Sequence, residues 1–254
     1  MLAKERQIKI LENLQENQFV KVNELSKLLN FTEETIRRDL EKLENENQLK
    51  RTHGGAIPIN TKDKDDDEIP FNDRQILNQE AKMEVAQKAV QLVHKGDVIF
   101  LDASSTAHYL SKLIPDIEVT ILTNSILVSV ELAKKKAVKV ILTGGNVSES
   151  SLSLVGPTAI RSIEHFHVHK VFMSCKGFDH EWGISDSNEQ QANVKRRMIQ
   201  NSEQVILLID STKIGQKSFV NIDDKRILDY VVIDSEADKE VVEQMLAKHT
   251  KLIY

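Results

Sequence analysis

A chain of 254 residues is long enough for two domains, each burying its own core. Hydrophobic residues at 40% and charged residues at 29% fit an ordinary folded protein and exclude extensive disorder, while the single cysteine, Cys175, excludes an intramolecular disulfide and argues against a cysteine-built zinc site. The net charge of −5 argues against bulk positive charge as a means of holding nucleic acid, and no apolar run approaches the roughly 18 residues of a membrane helix.

The opening Met1-Leu2-Ala3-Lys4-Glu5-Arg6 lacks the apolar stretch of a signal peptide, so a cytoplasmic protein is expected. Residues 4–17 read as a helix with Ile8, Leu11 and Leu14 on one face, ending at Glu16-Asn17-Gln18. After a short extended piece over 19–22, Asn23 reads as the N-cap of a second helix with Leu25, Leu28 and Leu29 inward. Asn30-Phe31 then makes the turn into a third. The hydroxyl of Thr32 suits an N-cap there, and Glu33 and Glu34 favour the positive end of the helix dipole. At about 100° per residue, Ile36, Leu40 and Leu43 share one side, with Thr35, Arg38 and Lys42 on the other or beside it. A packed face opposite guanidinium and hydroxyl groups suits a helix in the DNA major groove, where arginine pairs with guanine or holds phosphate. The same charges, with Glu34, Asp39, Glu41 and Glu44, also suit a solvated surface helix.

Residues 48–57 give a short basic strand, a Gly54-Gly55 turn and an apolar return. This is the pattern of a two-stranded wing, with Lys50, Arg51 and His53 facing the sugar-phosphate backbone. Together these elements make a winged helix-turn-helix domain over residues 1–57. Residues 1–56 hold ten basic and ten acidic side chains, so DNA affinity depends on where the basic ones stand.

Pro58, Pro70 and the run Asp63-Lys64-Asp65-Asp66-Asp67-Glu68 make residues 58–79 a solvated linker. The second domain, residues 80–254, opens with a helix over 80–94 that buries Met83, Ala86, Val90 and Val93. Apolar runs at 98–101, 119–122, 138–142, 168–173, 205–209 and 230–233 alternate with helical segments and predict an α/β fold with a mainly parallel sheet.

Ligands of open α/β sheets sit beyond the carboxyl ends of the strands. Asp102, Ser104, Ser105 and Thr106 follow the first strand, Thr123, Asn124 and Ser125 the second, and Thr143, Gly144 and Gly145 the third. Each group alone suits a helix cap; three in succession point to a pocket where hydroxyls and free amides cradle phosphate. Lys176 follows the fourth strand, and Asp210, Ser211 and Lys213 the fifth, with Glu189 and Lys195 on an intervening helix. The lysines suit an anionic ligand and the carboxylates suit sugar hydroxyls. Cys175 reads as a small apolar filler, Trp182 as a loop-packing aromatic, and His165, His167 and His169 as a strand edge without paired acids rather than a metal site.

Thr35-Ile36-Arg37-Arg38-Asp39-Leu40, with Leu43-Glu44 and Arg51-Thr52-His53-Gly54-Gly55-Ala56, resembles the N-terminal signature of the DeoR family of bacterial transcriptional regulators. The resemblance implies that Arg37 and Arg38 contact operator DNA and that the His53-Gly54-Gly55 segment closes the winged domain. Leu101-Asp102 through Thr106, Thr123-Asn124-Ser125, Gly144-Gly145, Gly177-Phe178-Asp179 with Gly183, Val194-Lys195-Arg196 and Asp210-Ser211-Thr212-Lys213 resemble the family's effector domain. That implies a fold similar to ribose-5-phosphate isomerase and an effector among phosphorylated sugars or related metabolites. Ser104 stands where the family commonly has glycine, and His169 where it commonly has an acidic residue.

The expected function is repression of a sugar-metabolism operon under control of a phosphorylated sugar, with no cofactor, no metal and no catalytic residue. Thr35, Arg37, Arg38, Lys42, Lys50, Arg51, His53 and Gly54 are expected at operator DNA, read by a dimer or tetramer. An aldose-ketose phosphate isomerase with Glu189 as base is the alternative. Against it stand the DNA module and the lack of a glycine-rich lysine loop. A third reading is an architectural DNA binder that no metabolite stabilises.

Overall fold

The computed structural model describes residues 3–17, 19–46, 48–52, 54–58 and 69–254. The chain divides into two units, residues 1–64 and 65–254. In the first, α1 (Ala3–Asn17), β1 (Val20–Lys21), α2 (Val22–Leu29), α3 (Glu33–Asn45), β2 (Leu49–Thr52) and β3 (Gly55–Pro58) follow in order. Ile10, Leu14, Val22, Leu25, Leu29, Ile36, Leu40, Leu43 and Leu49 form its core. The strands make an antiparallel sheet in the order β1-β3-β2. At Gly55 a Cβ would stand 1.7 Å from the Val20 carbonyl oxygen, so the close approach of β3 to β1 requires glycine.

The buried stripes of the first two helices differ from the expected ones. Ile8 is 54% exposed and Leu28 is 63% exposed. Helix α1 is turned so that Arg6 and Gln7 face Asp39 of α3, which brings Ile10 and Leu14 inward and leaves Ile8 outside. Helix α2 begins at Val22, one residue before the expected cap, with Lys21 at the N-cap and Asn30 in the left-handed conformation at its end. Val22, Leu25 and Leu29 then form one stripe, and Leu28 falls beside it.

The second unit starts earlier than expected. Within the expected linker, α4 (Phe71–Ile76) is folded, with Phe71 buried, followed by α5 (Gln79–Ala89). Pro70 stands at the helix N-cap. Residues 59–68, which carry the acidic run, lie outside the described residues. The chain continues through β4 (Val98–Leu101), α6 (Ser105–Leu113), β5 (Val119–Thr123), α7 (Ile126–Leu132), β6 (Val138–Leu142), β7 (Asn146–Ser148), β8 (Ser153–Val155) and α8 (Pro157–Glu164). It then gives β9 (Val168–Met173), β10 (Gly177–Asp179), β11 (Gly183–Asp186), α9 (Glu189–Gln200), β12 (Ser202–Ile209), β13 (Val220–Asp223), β14 (Tyr230–Ile233), α10 (Lys239–Met245) and β15 (Lys251–Ile253).

Seven of these strands form a parallel sheet in the order β15-β14-β12-β9-β4-β5-β6. Side chains alternate across it: Ile99 and Leu101 pack with α5, α6 and α7, while Phe100 packs with α8, α9 and α10. β10, β11 and β13 form a separate antiparallel sheet, and β7 and β8 a hairpin. Successive strands run outward from β4 to one side, and the chain then returns to β9 on the other. The strand order therefore reverses between β4 and β9, the position at which α/β sheets open a crevice for ligands. Among the described residues no helix is long and apolar enough to cross a membrane.

Candidate functional site

The exposed side of α3 carries the basic residues. Thr32 caps the helix, accepting the Thr35 N–H at 3.3 Å, and the two hydroxyls lie 2.8 Å apart. Arg37 pairs with Glu33 at 3.3 Å, Arg38 with Glu34 at 3.2 Å and Lys42 with Glu46 at 3.9 Å, all one turn apart and all exposed. Such pairs contribute about 0.3–0.5 kcal/mol each, so a phosphate or a guanine edge can recruit these cations at little expense. The surface-ladder and DNA-reader readings of this helix are therefore compatible: the ladder holds the guanidinium groups out in solvent.

Asp39 lies within the same motif but points inward. Both of its oxygens accept from Arg6, and Oδ1 also accepts from Gln7 Nε2 at 3.1 Å. Arg6 in turn lies 4.3 Å over the Phe31 ring. The buried ion pair fixes the rotation of α3 about its axis, which decides which residues face out. Glu44 accepts the Arg51 N–H at 2.8 Å and ties the wing to the same helix. Thr35, Arg37, Arg38 and Lys42 thus share one helix with Arg51 beside them, and the Gly54 carbonyl accepts from Val22 N–H at 2.8 Å. His53 and the Lys50 side chain lie outside the described residues.

In the second unit the strand ends on either side of the β4–β9 reversal meet at Asp102. Its Oδ1 accepts from Ser104 N–H at 3.1 Å and Ser104 Oγ at 2.6 Å, and its Oδ2 accepts from Ser174 N–H at 3.0 Å. Lys195 Nζ, buried on α9, stands 3.4 Å from Asp102 Oδ2 and donates to Asp186 Oδ2 at 2.5 Å and Ser174 O at 2.8 Å. Burial alone would lower the Lys195 pKa, but the charges of Asp186 and Asp102 overcome it and hold the ammonium well above its ordinary range. The group is a permanent buried cation between two carboxylates.

A second charged group surrounds the end of β12. Asp210, fully buried, accepts from Thr212 N–H at 3.2 Å and from Asn78 Nδ2 at 3.3 Å. Lys82, on the buried face of α5, has its pKa lowered to about 8 by burial; Asp210 opposes that shift, while Lys213, Arg74 and Lys176 reinforce it. Cys175 sits between the two groups, feeling Lys195 and Asp186 on one side and Lys213 and Asp210 on the other. Burial pushes its thiol up to about 12, which leaves no thiolate for chemistry and bears out its reading as a filler.

The hydroxyl-rich loops divide by role. Ser104 and Ser125 are helix caps, accepting from Ala107 N–H at 3.1 Å and Val128 N–H at 3.2 Å. Thr123 Oγ1 accepts the Ser125 N–H at 3.0 Å, and Asn124 donates to Leu154 O at 3.1 Å while its buried Oδ1 has no partner. Ser105 and Thr106 open α6 at the positive end of its dipole. Gly144 and Gly145 both have positive φ, and a Cβ on Gly145 would stand 2.6 Å from Val155 O, so packing against β8 already explains that glycine.

Of the expected site residues on α9, Lys195 lies in the Asp102 cluster and Glu189 heads the helix. That side chain is exposed at the first turn of α9, and the carboxylate that meets Lys195 is Asp186, two residues beyond the β11 core residue Ile184. Asp186, Ser174, Lys82 and Asn78 were not anticipated. Lys82 had a sequence signal: it shares the Val85-Ala86-Ala89 face of an amphipathic helix, where a lysine is buried only for a reason. The histidines also have acidic neighbours after all, His167 with Glu203 at 3.5 Å and His169 with Asp97 at 3.8 Å, yet no described group of three His, Cys, Asp or Glu could hold a metal. Trp182 packs its loop, donating to Ser218 O at 3.0 Å.

A winged helix with outward guanidinium groups, on one chain with an α/β unit whose strand ends converge on buried charge, defines a DNA-binding regulator with its own sensor. Family comparison agrees: a DeoR-like helix-turn-helix domain matches residues 6–62 and a DeoR C-terminal sensor domain matches residues 77–235, so the chain belongs to the DeoR family. It is a transcriptional regulator and not an enzyme. It is 47% identical over 252 residues to the uncharacterized HTH-type transcriptional regulator YulB of Bacillus subtilis, covering 99% of this chain and 96% of that one. It is 41% identical over 203 residues, 80% of each chain, to a protein of Haemophilus influenzae named L-fucose operon activator. Among solved structures, ribose 5-phosphate isomerase A of Methanocaldococcus jannaschii aligns over 54% of this chain and 55% of that one, at 16% identity and a TM-score of 0.41, a likeness too weak to carry an argument.

Proposed function

We propose that this protein represses a carbohydrate-metabolism operon as a homo-oligomer, and that a phosphorylated sugar bound at the β4, β9 and β12 strand ends changes its affinity for operator DNA. The observation that supports the ligand class is the buried Lys82 ammonium, held by the Arg74 and Leu77 carbonyls beside the β12 strand end, where Asp210 and Lys213 act on its charge. A phosphate dianion gives that ammonium a charged acceptor. Asp102 and Asp186, on the neighbouring cluster, supply acceptors for sugar hydroxyls. Arg37, Arg38, Lys42 and Arg51 are the proposed operator contacts, and the neutral charge of their unit makes pairing of two units necessary for tight binding. Repression is favoured because occupancy of a promoter is sufficient for it, whereas activation requires a further surface for polymerase.

The test is thermal unfolding of the full chain with matched pairs of free and phosphorylated sugars. A ligand at one hundred times its Kd stabilises by about 2.7 kcal/mol. A phosphosugar is expected to raise the sensor transition where its parent sugar does not. Equal effects of both, or none, would sink the phosphate assignment.

A further inference from the structure

Helix α4 is too short to hold itself: it has six residues, and isolated helices below about a dozen are marginal in water. Its position is set by what grips it. At its start the Phe71 N–H donates to Ser150 O at 2.6 Å in the β7–β8 connection, and the buried Phe71 ring meets His108 of α6 edge-on at 5.7 Å. In its middle the Gln75 carbonyl accepts from Tyr109 Oη at 2.9 Å. At its end Lys82 Nζ donates to the carbonyls of Arg74 and Leu77. Asn78 follows in the left-handed conformation at φ +52°, and its Nδ2 reaches Asp210 Oδ1 at 3.3 Å and Thr212 Oγ1 at 3.1 Å.

Two of these grips belong to the candidate cradle itself. A ligand hydroxyl bound by Asp210 shares the carboxylate whose Oδ1 accepts from Asn78. An anion among Lys213, Lys176 and Lys82 draws the Lys82 ammonium away from the two carbonyls that end α4. The other end of the helix continues directly into residues 59–70, the covalent path to the winged-helix unit.

We infer that α4 with Asn78 is the strap through which the sensor reports to the DNA reader, with Asn78 as its positioning residue. Docking of the strap on Asp210 and occupancy of Asp210 by ligand are linked, so each biases the other. This rests on the reading of the strand-end cradle as a phosphosugar site.

Asn78→Gly is the informative variant, because glycine keeps the left-handed turn accessible while deleting the amide that reaches Asp210. Hydrogen exchange over residues 71–77 and operator affinity are measured on the full chain without ligand. Exchange is expected to rise, and operator Kd to shift by about fivefold or more, the lower end of ordinary coupling. Asn78→Asp, which sets a second carboxylate against Asp210, is expected to act in the same direction. Raised exchange with an operator Kd unchanged within about twofold overturns the strap, as does unchanged exchange in both variants. A phosphosugar panel is then added: a ligand that stabilises both proteins is expected to shift operator affinity less in Asn78→Gly than in the native chain. If no phosphosugar stabilises the native chain, the ligand assignment fails, while the ligand-free comparison still decides the strap.

Discussion

Replacing Asp39 by alanine tests whether the recognition helix is aimed by a buried ion pair. The carboxylate is 95% buried and binds Arg6 through both oxygens and Gln7 through one, so its removal leaves a guanidinium without a counter-ion inside the unit. Breaking one partner of such a pair costs about 3–5 kcal/mol, against about 0.2–1 kcal/mol for the exposed pairs of Arg37 and Arg38. At about 0.05–0.15 kcal/mol per residue, a unit of this size has roughly 3–9 kcal/mol in total. Asp39→Ala therefore removes most of its stability. Urea unfolding of the full chain, read by far-UV circular dichroism alongside operator anisotropy, is expected to show an early transition for the reader, an unmoved sensor transition and lost operator binding. The double variant Arg6→Met, Asp39→Leu, which fills the site with apolar volume, is expected to recover the reader transition. If Asp39→Ala leaves the unfolding curve intact and tightens DNA binding, the carboxylate faces the groove and the account of the helix's rotation is wrong.

Arg38→Ala is expected to weaken operator binding by about 1–3 kcal/mol and relax preference at one base position, measured by anisotropy on single-base operator variants. Lys195→Met leaves Asp102 and Asp186 facing each other without their cation; a loss of about 3–5 kcal/mol from the sensor transition is expected, with the reader transition unmoved. Lys82 has its folded pKa lowered to about 8 from 10.5, so its contribution to stability is least below pH 8 and rises as pH increases from about 8 towards 10.5, where the unfolded chain still holds the proton. An anion that restores the ammonium is accordingly expected to bind with proton uptake and to weaken between pH 8 and 9. Calorimetry in two buffers of different ionisation enthalpy measures this, and proton-free binding at pH 9 contradicts it.

Much of the fold was legible because it follows from local pattern. The strands at residues 98–101 and 230–233 fall where their unbroken apolar runs place them, since a strand buried on both faces has few polar positions, and those at 138–142 and 168–173 fall where apolar runs are interrupted only by Lys139 and by His169-Lys170. Thr32 as cap and the Ile36, Leu40 and Leu43 stripe were equally readable. What periodicity could not decide was which of two adjacent stripes turns inward when a buried polar pair competes: Arg6 and Asp39, 33 residues apart, claim the α1–α3 contact and expel Ile8. Helix α4 was hidden by Pro70 and the acidic run, because its anchor, Phe71, is a single aromatic with no periodic partner. The strand-end loops were identified as a group, but no carboxylate partner for Lys195 was legible. Glu189 lies on the same helix, whereas Asp186 arrives from β11, a strand whose pairing with β10 and β13 is a tertiary fact.

The most direct test is anisotropy of a labelled promoter fragment beside the gene, titrated with the full chain against a scrambled duplex and then with phosphorylated and free sugars. The account predicts preference for the promoter, steep loss of affinity with salt, and a shift of about fivefold or more in Kd with one phosphosugar and not with its parent sugar. Equal affinity for both duplexes, or a promoter affinity that no phosphosugar changes, would contradict it.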